Sequence, residues 1–319
     1  MSNIIKKKKY NYNKIIFYII IFIIIIICII LFKIFFFNKN EYFYTNIIQK
    51  NNNLNNKKIY VICRSQEYNY MEDYVLSFYK KLNAEIIVFN EINDIPSINK
   101  TDIFIFLQTI PDEILQKIDS KNDNIYLLNT EQMSRNSHLI RMHTFPKNIK
   151  MLDYSKANMK YYDGYYNKSI LYQINFDEIY NLPKTKDICI MSGESEYRRN
   201  IINQMQNKGI NIDIISGWKK ERDEKLFTYK IILNISYKED YKIFESLRCD
   251  RCIFNRMIVI SDKKEDMELY NLKDYIIFED YDKIADKAIE VINNYDMYYK
   301  KLGLDTLDLN TLQIEPVSL

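Results

Sequence analysis

The feature that most constrains this chain is a succession of short, β-branched apolar runs, each followed by helical periodicity. "KIYVICR" (58–64) leads into Met71, Tyr74, Val75, Phe78 and Leu82 at helical spacing. "EIIVF" (85–89), "DIFIFLQ" (102–108) and "NIYLLN" (124–129) follow, with "PDEILQKI" (111–118) as a helix that opens on proline. The pattern weakens between about 130 and 180 and then restarts. "DICIMS" (187–192), "NIDIIS" (211–216), "KIILNIS" (230–236), "MIVISD" (257–262) and "YIIF" (275–278) are the later runs. Helices are expected over "EYRRNIINQMQNKG", closing on Gly209, over 239–253, and from Tyr281 to Leu302. Strands of this length cannot bury themselves alone, and runs apolar on both faces belong to parallel sheets covered by crossover helices. The chain therefore reads as two successive α/β units, and ligands in such sheets bind beyond the carboxyl ends of the strands.

The first forty residues obey different rules. Ile15 to Phe32 is an unbroken apolar run, extended by Ile34 to Phe37. A bilayer core takes about 20 helical residues, which this run supplies. Lys6, Lys7, Lys8, Lys9 and Lys14 precede it, and only Lys33 and Lys39 follow closely. That asymmetry keeps the short tail cytosolic and sends the body across the membrane. Residues 1–14 are thus read as a basic tail, 15–37 as a signal anchor contacting the lipid bilayer, and 38–57, polar and Asn-rich, as a stalk. The formal charge of +3 belongs to this flank: its seven lysines leave +3 − 7 = −4 for the rest. A slightly acidic body lacks the footprint of a nucleic-acid-binding protein.

The stretch "FESLRCDRCIFNRMIVISD" (244–262) poses the chemical question. Cys249 and Cys252 form one CxxC; the remaining cysteines are Cys28, Cys63 and Cys189, and the histidines are His138 and His143. A structural zinc site wants four N/S ligands, and a redox CxxC sits at a helix start after a strand, whereas this one precedes a strand. A disulfide to Cys63 or Cys189 is left open. On a helical wheel Glu245, Arg248, Cys249 and Cys252 fall on one side, opposite Ile243, Phe244 and Leu247. The first face suits a crevice wall; the bland alternative is an exposed Glu–Arg pair at i,i+3.

Strand "KIILNIS", helix "YKIFESLRC" and strand "MIVISD" together resemble the C-terminal domain of GT-B-type glycosyltransferases. An Asn-x-Ser followed by a Phe-Glu-x-x-Arg resembles in particular glycosyltransferase-like proteins of large DNA viruses. The resemblance implies two Rossmann-like domains: an N-terminal acceptor domain (58–180) and a C-terminal nucleotide-sugar donor domain (181–302), then a tail (303–319). It implies that Gly193, Arg198 and Arg199 meet the donor pyrophosphate, that Glu245 holds ribose or sugar hydroxyls, that Arg248 orients Glu245 or touches phosphate, and that Asn234 reaches the sugar. Two phosphates do need helix-start N–H groups and fixed cations. The sequence departs from the family pattern in having no second glutamate near Cys252, Asn255 for the usual helix-end glycine, and Ser236 where histidine is expected.

The resemblance places the catalytic base in the N-terminal domain, where His138, His143, Glu131 and Asp153 are the candidates. No metal site and no cofactor are expected, the nucleotide-sugar being a co-substrate. The function implied is sugar transfer from a nucleotide-sugar to a glycan or protein acceptor, on a type II protein of an ER/Golgi-like or virus-associated membrane. The departures support an alternative, a non-catalytic GT-B-like membrane protein serving as a binding or structural module.

Overall fold

A computed structural model describes residues 57–118, 124–172, 179–191 and 193–308. The basic tail, the apolar run 15–37 and the stalk up to 56 lie outside these residues, as does the chain from 309. Among the described residues, no helix is long and apolar enough to cross a membrane.

Two parallel sheets organise the body. The first comprises β1 (Ile59–Arg64), β2 (Glu85–Phe89), β3 (Ile103–Leu107), β4 (Ile125–Asn129), β5 (Lys150–Asp153) and β6 (Lys168–Leu171), in the order β2-β1-β3-β4-β5-β6. Its helices are α1 (Ser65–Leu82), α2 (Asp112–Leu115), α3 (Asn136–Met142) and α4 (Lys156–Lys160). The period of two along each strand divides the core. Val61, Cys63, Ile105, Leu107 and Leu128 pack with Met71 and Val75 of α1 on one face. Ile62, Phe104, Phe106 and Leu127 pack with Ile114 and Met142 on the other. Both faces are dry, which is why these runs are continuously apolar.

The second sheet comprises β7 (Lys186–Met191), β8 (Asp213–Ile215), β9 (Tyr229–Asn234), β10 (Ile258–Asp262) and β11 (Ile276–Glu279), ordered β11-β10-β9-β7-β8. Around it lie α5 (Glu196–Asn207), α6 (Lys219–Leu226), α7 (Ser246–Phe254), α8 (Ile284–Asn293) and α9 (Tyr295–Lys301). Every strand pair in both sheets is parallel. In each sheet the order reverses once, between β1 and β3 and between β7 and β9, and such a reversal opens a crevice at the carboxyl ends.

The structure departs from the sequence reading in several places. β5 and β6 fill the stretch where the pattern fades, because "KMLD" and "KSIL" are too short and too polar at their ends to stand out. The helix expected over 239–253 is only α7; residues 235–245 are irregular and reach toward the first sheet. The helix expected from Tyr281 to Leu302 opens as a 3-10 turn (Tyr281–Lys283) and breaks at Asn294 (φ −125°). Asn255 keeps φ −95°, so the left-handed residue closing α7 is Arg256 at φ 56°. Arg256 N–H bonds Ile253 O at 2.8 Å and Met257 N–H bonds Cys252 O at 2.9 Å, the paired closure that glycine usually makes. Gly209, at φ 81°, closes α5 in the same manner, as its sequence position implies. Beyond 302, Leu304 and Leu307 are buried in the core around the second sheet, so the start of the expected tail packs with that sheet.

Candidate functional site

The loop 235–245 and the segment after β4 bring the two sheets together at their carboxyl ends. Ile243 N–H donates to Gln132 Oε1 at 3.3 Å, and Gln132 Nε2 donates to Glu245 Oε1 at 3.2 Å. Ser155 Oγ–H donates to Asp266 at 2.9 Å, and the same carboxylate accepts Phe244 N–H at 2.8 Å. Ile243 is buried with Tyr154 and Ala157, which follow β5 of the first sheet. Lys219 bridges to Glu72 at 2.8 Å farther out. These ties leave a cleft of about 270 Å³ at the carboxyl ends of the two sheets.

The cleft is cationic although the body as a whole is slightly acidic. Arg135, Arg222, Arg248 and Arg251 line it, against the carboxylates Glu131 and Glu245. At its base Arg222 and Arg251 share Asp223. Arg251 donates to both Asp223 oxygens at 2.8 and 3.0 Å, and Arg222 approaches the same carboxylate at 2.7 Å. All three are buried. Two guanidiniums share this buried carboxylate, and both arginines also line the cleft, where guanidinium N–H groups suit an anion. The sequence reading missed this cluster: "KKERDEKL" is strongly polar and looks solvated, and nothing in it signals that α6 turns Arg222 and Asp223 inward.

The six residues assigned to a donor by resemblance divide into two groups. Glu245 and Arg248 line the cleft and pair at 2.5 Å, so the i,i+3 relation is real and also faces the crevice. Asn234 does not line it. Buried at the end of β9, it accepts from Arg248 at 3.1 Å and donates to Ser261 at 3.0 Å, so it positions Arg248. Arg198 is also buried, and its guanidinium donates to the carbonyls of Ile235 at 2.9 Å and Gly193 at 2.8 Å. It thus bridges the loops leaving β7 and β9, at the strand reversal itself. Burial, and then the nearby Arg248, bring its pKa down to about 10. Gly193 and Arg199 lie in a separate groove of about 220 Å³ along α5, where Arg199 meets Glu194 at 3.5 Å on the surface. Gly193, Arg198 and Arg199 therefore do not join the cationic cleft.

Of the four candidate bases, Glu131 alone lines the cleft. Its carboxylate lies 3.5 Å from Arg135 and 3.8 Å from His138 Nε2. Burial raises its pKa, Arg135 opposes that, and Glu245 across the cleft adds to it. His138 stands behind Glu131, with its pKa lowered by burial and then by Arg135 and Arg141, so the imidazole is disposed to be neutral. His143 is exposed at the end of α3, its ring 4.6 Å from Tyr165. Asp153 is fully buried and accepts from Asn129 (2.6 Å), Tyr162 (2.7 Å), Ser155 N–H (2.9 Å) and Asn158 (3.1 Å). Burial raises its pKa to about 6, yet four donors wall it off from the cleft. It holds β4, β5 and α4 together.

The cysteine face of the wheel is turned the other way. Glu245 is the residue before α7, and Leu247, Arg248 and Arg251 face the cleft, while Cys249 and Cys252 are wholly buried in the second core. The wheel fails because it extends the helix backward through 243–245, which are irregular. Cys63, Cys189, Cys249 and Cys252 are all buried thiols outside any disulfide. Among the described residues, no three His, Cys, Asp or Glu side chains gather as a metal site.

No family model matches the chain. Relatives occur in Acanthamoeba polyphaga mimivirus: "Uncharacterized protein L140" is 30% identical over 281 residues, covering 81% of this chain and 91% of that protein. The chain belongs to this mimivirus family. "Uncharacterized protein L138", 30% identical over 260 residues, and "Uncharacterized protein L137", 29% identical over 252 residues, match 74% and 75% of the chain. The family segment covers only 29% and 34% of those two longer proteins. The viral relatives agree with the resemblance to proteins of large DNA viruses; their names state no activity. Among solved structures the fold is similar to an α1,3-fucosyltransferase, with a TM-score of 0.42, 12% identity, and 79% and 83% of the two chains covered. An α1,3-fucosyltransferase with GDP-fucose gives a TM-score of 0.39 and 10% identity. Likenesses at this level assign no activity.

Proposed function

We propose that the protein is a GT-B-like glycosyltransferase whose nucleotide-sugar donor occupies the cleft between the two α/β domains. The observation that carries this reading is that four arginines, Arg135, Arg222, Arg248 and Arg251, line one cleft with the carboxylates Glu131 and Glu245, at the carboxyl ends of two parallel sheets. Arg248 and the Arg222–Asp223–Arg251 cluster would meet the diphosphate. Glu245 would accept hydroxyl hydrogen bonds from ribose or sugar, steadied by Gln132. Glu131 would take the proton from the acceptor hydroxyl as its oxygen attacks the anomeric carbon. The bond from that carbon to the diphosphate breaks, and the electron pair leaves with the nucleoside diphosphate, whose charge the arginines balance. A carboxylate whose pKa is raised by burial suits this base role better than an ordinary one.

The test is calorimetry on the full chain in a detergent without sugar headgroups, using UDP, GDP, inorganic pyrophosphate and nucleotide-sugars. Arg248→Ala should weaken every diphosphate roughly tenfold or more, as the loss of a charge-assisted contact does. Glu245→Gln should weaken the nucleotides and leave pyrophosphate unaffected. If the parent protein binds no nucleotide, the transferase reading fails.

One observation favours the alternative of a non-catalytic module: Arg198, a donor ligand by resemblance, is engaged by two backbone carbonyls. In that case nucleotide binding would be absent while the fold and the domain interface persist.

The anchor at 15–37 and the type II orientation are part of the same proposal, supported by apolar length and lysine asymmetry. Protease added to sealed microsomes should spare the domain; digestion there would refute the orientation.

A further inference from the structure

We infer that the lip of the cleft is a saccharide platform built on Trp218 and Tyr70, so that the acceptor is a glycan and not a bare protein hydroxyl. The word acceptor rests on the transferase reading above; the platform itself rests on observations of its own.

Trp218 is the only tryptophan in the chain, and it is 58% exposed where it lines the cleft. A large aromatic surface left in water at the mouth of a cleft calls for a reason. Its backbone is held outward by its neighbours: Gly217 lies at φ 98° and Lys219 at φ 61°. The second of these is a left-handed conformation that residues with a Cβ rarely adopt, and such outliers persist where surrounding contacts over-determine them. Here the contact is visible. Lys219 crosses to the first domain and pairs with Glu72 at 2.8 Å, its ammonium 5.6 Å from the centre of the Tyr68 ring. The strut stations Trp218 against Tyr70 of α1, with ring centroids 5.8 Å apart and planes at 45°. Tyr70 is itself 37% exposed. The lip is thus an aromatic surface shared by both domains.

The occupant follows from the chemistry around the lip. A pyranose has an apolar C–H face and a rim of hydroxyls. Trp218 and Tyr70 offer aromatic surface for the face, and Thr130, Glu131, Gln132 and Arg135 on the adjoining wall offer donors and acceptors for the rim. A nucleobase fits less well, because it is flat and apolar on two sides and wants a slot with parallel walls. Tyr70, tilted at 45°, does not supply the second wall. The proposed base Glu131 is itself one of these rim groups. A ring seated on the lip therefore presents a hydroxyl toward it.

The single tryptophan makes the test direct, since all indole emission from the full chain arises at this position. We would titrate the full-length protein, in a detergent without sugar headgroups, with methyl glycosides and disaccharides of the common hexoses, deoxyhexoses and N-acetylhexosamines. At least one should shift Trp218 emission saturably. Trp218→Ala should weaken that saccharide about tenfold by calorimetry, while Trp218→Phe retains most of the affinity. Both variants should bind UDP or GDP as the parent does and melt at the parent temperature. The inference is overturned if no saccharide shifts the emission. It is equally overturned if UDP or GDP shifts it and loses about tenfold in affinity on Trp218→Ala, because the lip would then be a base platform. Nucleotide binding without saccharide binding would remove the platform and leave the transferase reading standing. Saccharide binding without nucleotide binding would do the reverse.

Discussion

Gln132 donates its side-chain N–H to Glu245 Oε1 at 3.2 Å, joining residues 113 positions apart across the cleft between the two sheets. Its own oxygen accepts Ile243 N–H, so one amide holds both ends of the short segment that carries Glu245. Gln132→Leu keeps the approximate volume and leaves a half-buried carboxylate oxygen and a buried N–H without this partner. Each such loss costs about 1–3 kcal/mol, and the expected fall in urea-unfolding free energy is roughly 1–3 kcal/mol. A variant as stable as the parent would mean the two sheets are held together elsewhere.

Glu131→Gln removes the proposed base while keeping shape and most contacts. Turnover with donor and acceptor should fall by about 10²–10⁴, with donor affinity nearly unchanged. The pH profile carries a second sign. Only the ionised carboxylate accepts the proton, and burial raises the Glu131 pKa. Activity should therefore decline on acidification from a higher pH than an ordinary glutamate would dictate, and that limb should be missing from the residual activity of the variant.

Asp223→Ala leaves two buried guanidiniums facing each other without their shared carboxylate. Breaking a buried pair in this way costs about 3–5 kcal/mol, and the melting temperature should drop accordingly. Bound diphosphate should restore part of the loss, rising with the logarithm of its concentration above the dissociation constant, by mass action. Equal stabilisation of parent and variant by pyrophosphate would argue against an anion at this cluster.

The four cysteines of the described residues should resist aqueous thiol reagents in the native protein. Burial raises Cys63 and Cys252 to about 12 and raises Cys189 and Cys249 as well, so little thiolate forms and none is accessible. Alkylation followed by mass spectrometry should label them only in denaturant, and elemental analysis should find no stoichiometric zinc. Zinc lost on Cys249→Ser would reopen the CxxC.

The parallel α/β character was legible because a doubly covered strand must be apolar throughout, and "KIYVIC", "DIFIFL" and "MIVIS" announce that locally. β5 and β6 were not, since four-residue strands carry too few side chains to show a period. Glu245 and Arg248 were legible as a pair because their spacing is local; which of Glu131, His138, His143 and Asp153 lines the cleft was not, because all four stand near strand ends or in loops. The places of Asn234, Arg198 and Asp153 were clear only once their partners were known: each is engaged by neighbouring and remote groups that satisfy it. Position along the chain does not reveal which polar side chain is already engaged.

What the sequence determined by itself is the set of properties that neighbours in the chain decide: strand, helix and cap preference, the apolar length of 15–37, and the lysine asymmetry around it. What only the tertiary structure decided is which charged groups share a space. Arg222 and Asp223 sit in a run as polar as any surface helix, and Trp218 looks like a core residue by type. Their actual places, a cationic floor and an exposed lip, arise because two sheets from different parts of the chain meet at their carboxyl ends. The electrostatics and shape of that meeting belong to pairs of residues far apart in the chain, which local patterns do not encode.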